Sequence, residues 1–254
     1  MGWRKIANWQ ENKMALFDDV TEIPRKTMVL FFVIDTSVSM TGDRIGVVNT
    51  AIEEVIPTIK EISDKNSDAQ IKIAALEFSN GAHWITASGP MESDQFRWNR
   101  LQATGVTDLG AACKALNEKL SYKAFMKEAA GSFAPAIFLL SNGEPTDNWR
   151  GELEILKQNN WFKAAVKVAV AIGDDANKDV LAEFTGTKEA VLTANDPATL
   201  KKMIKFVSVR LTHRIFVYAI PAEAGYASKQ AKLNAYLQEL KEELTASLDN
   251  NQET

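Results

Sequence analysis

Met28-Val29-Leu30-Phe31-Phe32-Val33-Ile34 is an unbroken apolar run, closed by Asp35-Thr36-Ser37-Val38-Ser39-Met40. It is short, β-branched and aromatic, and it lacks polar/apolar alternation. Such a run predicts a strand buried on both faces, as in a parallel sheet covered by helices. The abrupt change to an aspartate and small hydroxyl residues marks a loop at the strand's carboxyl end.

Moving outward, Ile45, Val48, Ile52, Val55, Ile59 and Ile62 step by threes and fours, which predicts one apolar stripe of a helix. Pro57 lies inside it and is expected to kink the helix or split it near Glu53. A second strand is expected from Ile71 to Phe78. Asn80-Gly81 then signals a turn into a short neighbour, His83-Trp84-Ile85-Thr86. Residues 89–106 read as polar and irregular, and Leu109, Ala112, Cys113, Leu116 and Leu120 restart a helix. Apolar strands follow at Ala134–Leu140 and Ala165–Ile172, with a brief one at Ala190–Leu192. Helices are expected from about Asn148, over about 176–184, and around Leu200–Val207. The alternation predicts an α/β fold: a Rossmann-like, open, mostly parallel sheet with helices on both faces. The expected division is an N-terminal extension over 1–26, a domain over 27–210, and a C-terminal extension over 211–254. That last part would hold an added strand, Ile215–Ile220, and an amphipathic helix carried by Leu233, Leu237, Leu240, Leu244 and Leu248.

The chain has 254 residues, 29 Lys+Arg against 33 Asp+Glu, and a net charge of −4, which gives no electrostatic reason to expect nucleic-acid binding. Cys113 is the single cysteine, so no internal disulfide is possible. No apolar run approaches the roughly 20 residues of a spanning helix. The opening Met1-Gly2-Trp3-Arg4-Lys5-Ile6 does not read as a secretory signal, so a cytoplasmic location is expected.

In open α/β sheets, sites lie beyond the carboxyl ends of the strands. Three loops there carry hard oxygen donors: Asp35, Ser37 and Ser39 on the first, Thr107 on the second, and Asn142 on the third. No His or Cys accompanies them, which disfavours zinc and copper. Oxygen-only sets of low charge suit Mg²⁺. Capping explains any single member, but not D-x-S-x-S on one loop with matching oxygens on two others. Asp108 and Asp147 are nearby carboxylates, read mainly as helix-start stabilisers.

Asp35-x-Ser37-x-Ser39, then Thr107, then Ser141-Asn142-Gly143 after a later apolar strand, resembles a von Willebrand factor A domain with a metal-ion-dependent adhesion site. The run Leu139-Leu140-Ser141-Asn142-Gly143-Glu144-Pro145-Thr146-Asp147 is most similar to small bacterial cytosolic, tellurite-resistance-type members. The resemblance implies a six-stranded sheet and a metal held by Ser37, Ser39 and Thr107. Asp35 would hold coordinating water, and Asn142 would be a weakened outer member. It implies Mg²⁺, or Mn²⁺ or Ca²⁺, and a partner protein offering an acidic group. A serine/threonine kinase or a PP2C-like phosphatase is the kind of partner it implies.

The family's third motif normally reads Ser/Thr-Asp-Gly, and here the aspartate is Asn142. One carboxylate at the motif positions leaves a divalent ion near +1. That lowers metal affinity and makes a bound ion a stronger electrophile towards an acidic partner. A metal-independent scaffold is therefore an alternative. A phosphoester hydrolase using Asp35 is a weaker one, because position 37 is Ser where a second carboxylate would act as acid/base. No nucleophile elbow, phosphate loop or H-E-x-x-H motif is present, so no enzymatic activity is expected.

Overall fold

The computed structural model describes residues 25–205 apart from 68, 129 and 130, and the isolated positions 235, 238, 242 and 246. Strand β1 spans Lys26–Asp35, helix α1 Asp43–Asp64, β2 Ala69–Ser79, β3 Gly81–Trp84 and β4 Met91–Glu92. Helix α2 spans Leu109–Lys119, β5 Ala136–Ser141, α3 Trp149–Leu156 and α4 Asn160–Ala164. Then come β6, Val166–Ile172, α5, Lys178–Thr185, and β7, Val191–Ala194. Residues 197–205 form α6.

The sheet runs β3-β2-β1-β5-β6-β7, with the two-residue β4 pairing β2 off that path. Pairings β1–β2, β1–β5, β5–β6 and β6–β7 are parallel, while β3 and β4 run antiparallel to β2. The expected six-stranded, mostly parallel sheet is this path. β4 falls within the segment read as irregular, because two residues are too few to show a period.

β1 lies in the middle, and its alternate residues feed two cores. Met28, Leu30, Phe32 and Ile34 pack in one layer with the apolar stripe of α1 and with Leu200, Met203 and Ile204 of α6. Val29, Phe31 and Val33 face the other layer, with residues of α2, α3, α4 and α5. Burial on both faces is why the run has no polar alternation.

Pro57 does not split α1, which runs unbroken through it. The proline is exposed, while Val55 and Ile59 beside it are fully buried. Packing of the apolar stripe offsets the one amide lost at residue 57. Helix α4 has no counterpart in the expectations. It is a single turn whose Asn159 cap accepts from Trp161 N and Phe162 N.

The N-terminal extension lies outside the described residues apart from 25 and 26. The expected strand Ile215–Ile220 lies wholly outside them. Of the C-terminal helix, positions 235, 238, 242 and 246 are helical and exposed, spaced as one face of a helix. Its leucines are not among the described residues. No described helix is long and apolar enough to cross a membrane.

Candidate metal centre

β1, β2 and β5 deliver their carboxyl ends to one rim, and three loops meet there. Backbone bonds tie the first to the second: Val38 N to Gly105 O at 3.0 Å, and Thr104 N to Thr36 O at 2.7 Å. The second joins the third through Thr146 N to Thr107 O at 2.9 Å, and Thr107 N to Thr146 Oγ1 at 3.1 Å. The first and third join through side chains at the rim.

Asp35 is the floor of this arrangement and is fully buried. Its Oδ1 accepts from Ser37 N at 2.9 Å, and its Oδ2 accepts from Ser141 Oγ at 2.6 Å. Burial pushes its carboxyl above the ordinary aspartate range, while the bonds from Ser141 and Ser37 pull it back. Above it, Ser37 Oγ lies 2.8 Å from Ser39 Oγ, and Ser39 Oγ donates to Asn142 Oδ1 at 3.3 Å. A 3-10 turn over Val38–Met40 places the two serines side by side.

Four of the five expected residues are thus linked through Ser37 and Ser141. Thr107 is buried on the second loop and joins the set through that loop's backbone. Among the described residues no cluster of three or more His, Cys, Asp or Glu is placed to hold a metal. The donors are hydroxyl and amide oxygens around one carboxylate, the hard set that suits a hard cation.

Of the neighbouring aspartates, Asp147 stabilises a helix start as expected and Asp108 does not. Asp108 occupies the N-cap position of α2 without capping it. Its Oδ2 accepts instead from Gly81 N in the β2–β3 turn, at 2.7 Å. Asp147 stabilises the start of α2 rather than of α3, accepting from Gly110 N at 2.8 Å and Ala111 N at 3.3 Å. Nothing in local sequence spacing signals a cap supplied from 37 residues away.

The site also has two contributors that the sequence reading leaves out. Ser141, in the third motif, is the partner of Asp35, a contact across the sheet that its local sequence does not signal. The β6–α5 loop reaches the site as well, where Asn177 N donates to Asn142 O at 2.7 Å. Trp149 is buried, and Trp98 is half-buried against the layer of α1. Arg100 is committed to both carboxylate oxygens of Glu53.

A doubly covered parallel sheet with D-x-S-x-S at the end of its central strand defines the class. The von Willebrand factor type A domain family matches residues 30–206, and the chain belongs to that family. Among solved structures it is similar to a von Willebrand factor type A protein from Catenulispora acidiphila, with 16% identity, a TM-score of 0.55, and coverage of 74% of this chain and 43% of that one. Proximal thread matrix protein 1 from the mussel byssus gives 18% identity, a TM-score of 0.55 and coverage of 74% and 48%. The ArnB paralog VWA2 from Sulfolobus acidocaldarius gives 18% identity, a TM-score of 0.52 and coverage of 71% and 45%. These likenesses show the fold, and the chain spans less than half the length of each of the three. No curated protein matches the sequence.

Proposed function

We propose that the chain is a protein-binding module that captures an acidic group of its partner at a divalent cation on this rim. The supporting observation is the row of oxygens Ser37 Oγ, Ser39 Oγ and Asn142 Oδ1, spaced 2.8 and 3.3 Å apart above a buried carboxylate. Adjacent oxygens of an octahedron with ~2.1 Å bonds stand about 3.0 Å apart, close to the 2.8 Å between the two serine oxygens. The residues therefore fit a hard divalent cation, Mg²⁺, Mn²⁺ or Ca²⁺. Ser37, Ser39 and Thr107 would hold the ion, Asp35 would accept from its water, and Asn142 would act from the outer side. When bound, the ion supplies a positive charge that draws a carboxylate.

Two exposed apolar side chains flank the set. Val38 is 62% exposed between the two serines, and Val106 is 48% exposed beside Thr107. Apolar groups beside a charged centre are the pattern of a protein-binding surface. The tellurite-resistance resemblance extends the reading to a bacterial, cytoplasmic setting, with a serine/threonine kinase or PP2C-like phosphatase as partner.

A metal-independent scaffold is the second reading, favoured by the self-satisfied polar network. The serines bond each other, and both Asp35 oxygens already have donors. Hydrolysis through Asp35 is disfavoured for the same reason, since a nucleophile with no exposed surface and both oxygens engaged cannot reach a phosphoester.

The test is a Mn²⁺ titration followed by water-proton relaxation, then addition of a glutamate-bearing peptide. Wild type binds Mn²⁺, the peptide displaces bound water, and Ser39→Ala does neither. Peptide binding that persists unchanged in EDTA overturns the metal role and favours the scaffold.

A further inference from the structure

The loop between β6 and α5 touches the candidate site at two separate places. Arg44, in the first turn of α1, donates from Nη1 to Ser39 O at 2.8 Å and from Nη2 to Asp175 Oδ1 at 2.5 Å. Its guanidinium passes over Gly173, which has φ 96°. A Cβ on Gly173 would stand 2.9 Å from Arg44 Nε and 3.0 Å from Asp175 Oδ1, so a side chain there would collide with the pair. At the second place Asn177 N donates to Asn142 O at 2.7 Å, and a Cβ on Gly143 would lie 2.5 Å from Asn177 O. Asn177 is itself fixed, because its side chain caps α5 at Val180 N, 3.3 Å away.

We infer that residues 173–177 form a fourth wall of the site, and that Arg44 is a positioning residue that sets divalent-cation affinity by holding Ser39. The inference rests on the metal reading above. Ser39 stands in a turn of one 3-10 cycle, whose backbone bonds are Met40 N to Ser37 O and Thr41 N to Val38 O. Fixing its carbonyl fixes the Ser39–Met40 peptide plane and so narrows where Cβ projects, while the bonds to Ser37 Oγ and Asn142 Oδ1 select the Oγ rotamer. Nη1 does this from the first turn of α1, and the bond from Nη2 to Asp175 holds the guanidinium in place.

Charge and geometry make opposite demands here, so their effects separate. Arg44 is a cation beside a cation site. If Coulomb repulsion were its main effect, Arg44→Ala would raise Mn²⁺ affinity. If it positions Ser39, Arg44→Ala lowers it. Partners that orient metal ligands from outside the coordination shell are typically worth about 10- to 100-fold in affinity.

The experiment is Mn²⁺ binding by electron paramagnetic resonance at fixed ionic strength on the full chain, with metal-free melting temperatures alongside. Arg44→Ala is expected to weaken Mn²⁺ binding about tenfold. Arg44→Lys, which keeps the charge and loses the fork, stays weak, and Asp175→Asn weakens binding with Arg44 intact. Melting temperatures of the metal-free variants stay close to wild type, because the Arg44–Asp175 pair is exposed on the Asp175 side, at 69%. Unchanged or tighter Mn²⁺ binding by Arg44→Ala overturns the inference while leaving the metal reading intact. No Mn²⁺ uptake by wild type overturns the metal reading, and this inference with it.

Discussion

Ser141 Oγ donates to Asp35 Oδ2 at 2.6 Å, joining the ends of β5 and β1 across 106 residues of chain. The same hydroxyl accepts from Gly143 N at 2.9 Å, so one oxygen holds the floor of the site and the turn of the third loop. Ser141→Ala leaves a buried carboxylate oxygen and a backbone amide without partners. The expected loss is about 2–3 kcal/mol of folding stability, read from urea denaturation at neutral pH. A loss near zero would mean that water replaces the serine fully.

Asn142→Asp restores the family's third-motif carboxylate and has two opposite effects. In the metal-free protein it places a second negative charge close to buried Asp35, and the melting temperature falls. With Mg²⁺ or Mn²⁺ it adds a hard, charged oxygen, and affinity rises on the order of tenfold, or about 1.4 kcal/mol. Melting curves with and without metal check both signs together. Equal metal-induced shifts in the two proteins would contradict a role for Asn142 at the site.

Pro57→Ala tests how α1 tolerates its proline. The substitution returns an N–H to an exposed helical position without disturbing Val55 or Ile59. A gain of about 1–3 kcal/mol is expected, because proline costs about 3 kcal/mol relative to alanine in a helix interior. Denaturation midpoints at constant slope measure it.

Stability above neutral pH is governed by two buried groups of opposite sign. Lys167 is buried on β6, donating to Phe162 O and Ala165 O, and burial lowers its pKa to about 8. The unfolded chain binds more protons between about 8 and its ordinary 10.5, so this group makes stability rise with pH across that window. Its full cost below pH 8 is about 3 kcal/mol. Burial pushes the Cys113 thiol from 9.0 up to about 12. There the folded chain keeps the proton longer, so this group makes stability fall as pH rises above about 9. Wild type is expected to gain stability from pH 8 to 9 and then level off. Cys113→Ala is expected to continue rising towards pH 10.5, and Lys167→Met to lose the early gain. Urea titrations at half-unit steps from pH 7.5 to 10.5 separate the three curves.

The layered sheet was legible because burial on both faces writes itself into composition. Met28–Ile34 could not be a half-exposed strand, and the stripe of α1 has one helical period. The oxygen donors were legible because D-x-S-x-S is local, within one loop. Less legible were contacts made across space. Asp147 capping α2, Asp108 serving the β2–β3 turn, and Arg44 spanning to Asp175 join residues 27 to 131 positions apart. Nothing in their own neighbourhoods specifies those partners. Helix α4 went unread because five residues give no period, although Asn159 at its start is the usual capping type.

The position of β1 between β2 and β5 also has a consequence during synthesis. β2 follows β1 closely, but β5 begins only at Ala136. While the ribosome makes the intervening stretch, one margin of a strand that is apolar from Met28 to Ile34 has no β5 to pair with. The cup at the sheet's end draws on Ser141 and Asn142, so it cannot close before the chain has been made through β5.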